Sequence, residues 1–203
     1  SFDKIAIAQH LDDSIETFMI NLTRGTGIQG LTGISNCKDN IIRPLLFAER
    51  ADIIKYATKH NLKFVEDKSN NDIQITRNYF RHEIIPKFLK INKSFKNTMK
   101  NNFRILNETE TIFKAKIAEA LDKCTVSSED NCVYLSITEL KKLNPQYTYL
   151  YEFLNSYGIN SEQTEEIIKS LDSVSGKKFL TKTHLIIKDR NCLIISKKEN
   201  IKK

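Results

Sequence analysis

Apolar and polar positions follow two rhythms along this chain, and the switches between them mark its elements. Ile5 and Ile7, with Ala6 and Ala8 between, form a β-branched run that suits a buried strand. The run breaks into the polar cluster Gln9, His10, Asp12 and Asp13. Ile15, Phe18, Met19 and Leu22 then recur at spacings of three and four, the signature of one helix face. Asp13 followed by Glu16 reads as an acidic capping box that opens this helix, and Gly25 after Arg24 as its end.

Further along, 41–46 (Ile-Ile-Arg-Pro-Leu-Leu) reads as extended, because a residue before proline is pushed away from helix. Ala48 to Asn61 has the helical period, with Ile53, Ile54 and Ala57 on its apolar face. Lys63 to Val65 is a short strand entering a polar, turn-rich loop around Asp67, Ser69, Asn70 and Asp72. A helix runs from Arg77 to Ile85, and Pro86 marks a junction. From Pro86 to Leu121 the pattern is that of one long helix: Phe88, Ile91, Phe95, Met99, Phe103 and Leu106 share a stripe, and Lys93, Lys96, Lys100 and Arg104 share another. A polar linker is expected over 123–131, then a short strand, three short helical segments, and a hairpin over 176–196 with Leu185, Ile187, Leu193 and Ile195 apolar. The basic tail after Lys197 is expected to fray.

Composition adds limits. With 203 residues, 40% hydrophobic and 28% charged, the chain has room for one large or two small domains. It has no run of about 18 apolar residues and no signal-peptide pattern, so a cytoplasmic address without membrane partners is expected. Cys37, Cys124, Cys132 and Cys192 are scattered, which argues against a zinc or iron–sulfur site and against disulfides, and no metal-ligating residues are assigned. The net charge of +7 is uneven. Acids and bases balance up to Ile85, whereas Pro86 to Arg104 carries Lys87, Lys90, Lys93, Lys96, Lys100 and Arg104 without an acid, the footprint of a polyanion partner.

The candidate chemistry lies where the first strand meets the first helix, since α/β folds place ligands at the carboxyl ends of strands. His10, Asp12, Asp13 and Glu16 crowd that junction, and Arg24 follows at the far end of the helix. Carboxylates and an imidazole there suit either holding Mg²⁺ against nucleotide phosphates or binding and deprotonating an amine. A lone Asp13 would be read as a helix cap and a lone His10 as a structural residue; their density changes the reading. The loop from Arg24 to Gly33 holds four of the six glycines and is either a ligand-facing backbone or an ordinary turn.

The strings AQHLDDSIETFMINLTRGTGIQGL, IIRPLL and EDKSNNDIQITRNYFRHEIIP, with SGKKFLTKTHLIIKDR further on, resemble the tRNA(Ile)-lysidine synthetase family of the N-type ATP pyrophosphatase group. The likeness runs in order and spacing from Phe2 to about Phe103. It implies an α/β fold, the C-terminal part of an adenine-nucleotide α-hydrolase-like, Rossmann-type domain over residues 1–85. A mainly helical α+β tRNA-binding domain with a small C-terminal β-hairpin would fill residues 86–203. It also implies a ligase that uses ATP and Mg²⁺ to adenylate the wobble cytidine of a CAU anticodon, after which the amine of L-lysine displaces AMP to give lysidine. tRNA(Ile) and lysine are then the partners, with a homodimer as an open arrangement.

Carried over position by position, the resemblance puts His10, Asp12 and Arg24 on the ATP side, with Asp12 able to support either substrate. Asp13 and Glu16 would hold lysine, and with Arg77 they form the catalytic set. Arg43, Asp67, Ser69, Asn70, Arg77, Asn78 and Arg81 would line the route of the cytidine and its phosphates, where guanidinium forks fit phosphate oxygens. Lys93, Lys96 and Lys100 would meet tRNA. A structural pairing of Arg77 and Arg81 with Asp67 or Glu66 is the rival for part of that set. The family's SGGxDS loop is not in this sequence, nor is its further C-terminal domain, and Gln9 stands where the family more often has histidine. These 203 residues alone are therefore expected to be inactive. The alternatives are a related tRNA-thiolating enzyme, disfavoured by the scattered cysteines, and a non-catalytic RNA-binding module.

Overall fold

A computed structural model describes residues 3–64, 76–129 and 132–198. The chain forms two compact units, Ser1–Thr111 and Ile112–Lys203.

In the first unit, β1 (Ile5–Ala6) pairs in parallel with β3 (Ile41–Ile42), and β2 (Cys37–Lys38) pairs antiparallel with β3, giving the order β1-β3-β2. With one strand neighbour, β1 is an edge of this sheet and Ile5 is 54% exposed, not buried as its alternation suggests. The chain passes into α1 (Leu11–Arg24), then a single turn of helix, α2 (Ile28–Leu31), inside the glycine-rich loop. α3 (Arg50–Lys59) is shorter than its period indicates and buries none of its residues.

The helix expected to stop at Pro86 does not. α4 (Thr76–Tyr79) continues through a π-turn (Phe80–Ile84) into α5 (Ile85–Ile91). In an α-helix the Pro86 ring would clash with the carbonyl four residues back, and the wider turn relieves that contact. The Ile85 N–H accordingly donates to the Phe80 carbonyl, five residues back. The real break falls at Asn92, which is extended and whose side chain accepts from the Ser94 N–H at 2.9 Å. α6 (Phe95–Cys124) starts there.

The core of the first unit joins Leu11, Ile15 and Met19 of α1 to Phe80, Ile85, Phe95, Met99 and Phe103. Phe18 meets Phe103 edge-on, ring centres 5.8 Å apart. Leu22, expected on this face, is exposed, because the packing ends a turn earlier; Ile91 is exposed as well. Gly33 packs against the Phe103 ring and has φ +78°, so glycine there serves both a close approach and a left-handed backbone.

The second unit is built on a five-stranded antiparallel sheet of order β4-β5-β8-β7-β6. Its strands are β4 (Thr125–Glu129), β5 (Cys132–Ser136), β6 (Lys178–Leu180), β7 (His184–Lys188) and β8 (Cys192–Lys197). The expected polar linker is thus mostly strand β4, and the expected hairpin is the β6–β8 side of a larger sheet. α7 (Ile137–Lys142), α8 (Gln146–Asn155) and α9 (Ser161–Ser170) pack on it. Leu140, Leu150, Leu154, Ile167, Ile186 and Leu193 are fully buried in its core, each stabilising the fold by roughly 1.5–3 kcal/mol. Asn160 caps α9 by accepting from the Gln163 N–H at 2.8 Å.

Candidate active site

The strand-to-helix junction is organised by the first turn of α1. His10, not Asp13, is the N-cap, and Asp13 at the third helical position reaches back so that its Oδ2 accepts from the His10 N–H at 2.9 Å. Asp12 and Asp13 lie in the first turn, where the helix dipole favours negative charge. Glu16 is therefore released from capping. It is 0% exposed and lies under the helix 76–91.

Two arginines meet it there. Arg81 forks onto Glu16, donating from Nε to Oε1 at 2.6 Å and from a terminal nitrogen to Oε2 at 3.1 Å. Arg77 Nε lies 2.9 Å from Glu16 Oε2 as an ion pair, off the line of a directed hydrogen bond, and a terminal nitrogen donates to Thr17 Oγ1 at 2.9 Å. Burial would lower the Arg81 pKa, but Glu16, Asp13 and Asp12 together raise it. The arginines do pair with an acid, though it is Glu16; Glu66 and Asp67 lie outside the described residues.

On the other side of the turn, Asp12 is fully engaged. Its Oδ1 is 2.6 Å from Lys96 Nζ, and its Oδ2 accepts from the Arg50 N–H at 2.8 Å. Burial would push this carboxyl up, yet Lys96, the Arg50 N–H and His10 hold it below the usual carboxylate range. Lys96 also reaches Glu49 at 3.1 Å; burial works to lower its pKa, and the two acids raise it. Lys96 is therefore part of the acidic cluster and leaves the solvent-facing basic stripe.

Two polar atoms are less fully engaged. Asp13 Oδ1 accepts a single long hydrogen bond from a terminal nitrogen of Arg81, 3.4 Å. His10 Nδ1 is buried without a hydrogen bond, 3.4 Å from Asp13 Oδ2 and 3.7 Å from Asp12 Oδ2. A buried polar atom left without a partner suits a ligand. In the glycine-rich loop a Cβ at Gly30 or Gly33 would meet Thr26 or Phe103, whereas Gly25 and Gly27 border open space.

Other expected residues are placed apart. Arg24 is exposed at the far end of α1, about 20 Å from His10 by helix rise. Arg43 sits beside β3, its Nε donating to Gln9 Oε1 and a terminal nitrogen to the Ser35 carbonyl at 3.0 Å. Asn78 is buried. Lys93 and Lys100 are exposed. Asp67, Ser69 and Asn70 lie outside the described residues. Glu49 and Arg50 carry no local signal, because each reaches the cluster across a long stretch of chain. Among the described residues no group of His, Cys, Asp and Glu is arranged to hold a metal ion, and no helix is long and apolar enough to cross a membrane.

A family profile described as a PP-loop domain matches residues 1–88, and one described as the TilS substrate binding domain matches residues 128–198. The chain is 38% identical to the tRNA(Ile)-lysidine synthase of Bacteroides thetaiotaomicron, covering 94% of this chain and 44% of that protein. It is 35% identical to the same enzyme of Parabacteroides distasonis, over 98% of this chain and 44% of that protein. With that of Thermosipho africanus it shares 42% identity over 57% of the chain and 27% of that protein. The chain thus spans less than half the length of these relatives. The acidic junction answered by two arginines lies inside the PP-loop match and most of the five-stranded sheet inside the second, and the chain belongs to the tRNA(Ile)-lysidine synthase family.

Proposed function

We propose that this chain carries the lysine- and cytidine-handling part of a tRNA(Ile)-lysidine synthase, which joins L-lysine to the wobble cytidine of a CAU anticodon at the expense of ATP. The observation that supports it best is the division of labour among three carboxylates. Asp12 is saturated by Lys96 and Arg50, Glu16 by Arg77 and Arg81, and Asp13 keeps one oxygen available. A lysine ammonium would donate to Asp13 Oδ1 and release a proton toward it on becoming a nucleophile. Glu16 acts through the arginines: it holds the guanidinium groups of Arg77 and Arg81 beside the first turn of α1, and guanidinium groups suit the phosphates of the cytidine.

His10 Nδ1 fits a contact to ATP, which supplies the activating adenylyl group when bound. Mg²⁺, which is commonly held through substrate phosphates together with one or two carboxylates, would enter on the phosphates of ATP and leave Asp13 Oδ1 to lysine. Arg24, at the far end of α1, would serve only a group that extends along the helix. Arg43 and Asn78, with Asp67 and Asn70, complete the proposed route of the cytidine. Residues 1–85 would provide this chemistry and residues 86–203 the tRNA-binding part, with Lys93 and Lys100 on phosphates, in a cytoplasmic enzyme.

The test is Asp13→Asn in the full-length gene product. The lysine KM should rise by about tenfold or more, with the ATP KM changed by less than about twofold. Equal shifts in both would remove lysine from Asp13.

A further inference from the structure

Phe47 projects from the first unit. It is 68% exposed, while its neighbours Leu46 and Ala48 are buried. The turn that carries it is pinned on both sides: the Ala48 N–H donates to the Leu45 carbonyl at 3.0 Å, and the Ala48 carbonyl accepts from the Leu11 N–H at 2.9 Å. The ring is thus presented by a fixed backbone at the start of α1.

Phe47 also walls two clefts. One, of about 350 Å³, has Arg43 and Pro44 in its lining. The other, of about 610 Å³, is lined by Phe103 and by Lys100 and Arg104 of α6. Asn36 lines both, offering an amide to either side. Each volume falls in the range of small-ligand sites. Arg104 is exposed and paired with Glu108 at 2.9 Å, and Lys100 is a second exposed cation of the larger cleft.

An exposed aromatic face with a cation on each side suits unpaired nucleotides, whose bases stack on rings while their phosphates meet positive charge. Duplex RNA would not use it, since its bases are already stacked. An aliphatic protein surface would leave the cations on both sides without partners.

We propose that Phe47 is a wedge between two consecutive nucleotides of a single-stranded RNA loop, one base in each cleft, with the phosphates toward Arg43 and Lys100. This rests on RNA being the substrate, as proposed above, and adds the element that would hold its loop open.

The chain has no tryptophan, so Phe47→Trp introduces a single indole at the wedge. The variant chain is titrated with an anticodon stem–loop RNA carrying CAU and with a fully paired duplex of the same stem. Indole emission should be quenched by the stem–loop and not by the duplex. Phe47→Ala should weaken stem–loop binding about 5- to 100-fold, and Phe47→Tyr should bind nearly as the wild type. Circular dichroism should be unchanged in all three, since the ring is exposed. Wild-type affinity in Phe47→Ala, or equal quenching by both RNAs, overturns the wedge while RNA stays the substrate. Failure of the wild-type chain to bind either RNA overturns both readings.

Discussion

Lys96 Nζ lies 2.6 Å from Asp12 Oδ1, and the same ammonium reaches Glu49 at 3.1 Å, so one cation from the start of α6 ties α1 to the N-cap of α3. Lys96→Met should cost about 2 kcal/mol, because it leaves two partly buried carboxylates facing each other. Lys96→Arg should restore most of it. A double-mutant cycle with Asp12→Asn measured by urea unfolding should give a coupling of about 1 kcal/mol or more; strict additivity would mean that the pair contributes nothing.

The same pair sets a pH window. Asp12 titrates lower in the fold than unfolded, so its contribution is present above about pH 4 and is lost as pH falls through the lowered value. Lys96 titrates higher in the fold, so its contribution is complete below about pH 10.4 and is lost as pH rises through the raised value. Unfolding free energy measured against pH should show both shoulders, and Lys96→Met should abolish the alkaline one.

Glu16 is a consequential carboxylate for stability, since from full burial it pairs with two guanidinium groups. Glu16→Ala should destabilise the first unit by about 3–5 kcal/mol by leaving Arg81 without its fork. Glu16→Gln, which keeps the shape and some hydrogen bonding, should cost less. A loss under about 1 kcal/mol for the alanine variant would show that solvent replaces the carboxylate.

Gly33 and Gly25 have nearly the same positive φ, +78° and +77°, but only at Gly33 would a Cβ meet something, the Phe103 ring at 3.2 Å. Both Gly→Ala variants should lose about 1–2 kcal/mol from the backbone term. Gly33→Ala should lose more, and thermal unfolding of the two reads the packing difference directly.

For the basic stripe, Lys93 and Lys100 are the residues to test. If each neutralises a phosphate, Lys93→Gln with Lys100→Gln should reduce the slope of log K against log salt for tRNA by about 0.7–0.9 per lysine. An unchanged slope would assign them to solubility alone.

Local pattern was enough to find α1, the long helix behind Phe95, Met99 and Phe103, and the cluster His10, Asp12, Asp13 and Glu16. It was not enough to tell those carboxylates apart. Asp13 and Glu16 look equivalent as an i, i+3 pair, and only the distant Arg77 and Arg81 make one of them saturated and leave the other available. Lys96 likewise has the spacing of a solvent-facing stripe, and its partners are Asp12 and Glu49, remote in sequence. β4 was hidden because Thr125–Glu129 has no apolar alternation, and its pairing is supplied by β5. Pro86 misled for a related reason: its missing N–H breaks an α-helix and is tolerated after a wider turn.

That wider turn acts as a phase setter. The five residues Phe80–Ile84 insert an angular offset between Arg77, which enters facing Glu16, and Ile85, which leaves facing the phenylalanine core. Deleting a single residue there, for instance Glu83, would convert the turn to ordinary α geometry and return the Pro86 ring to the carbonyl four residues before it, kinking the helix between the arginines and Ile85. Ile85 and the arginines could then no longer both be seated, so binding chemistry could be abolished by a lesion that removes none of the side chains that perform it.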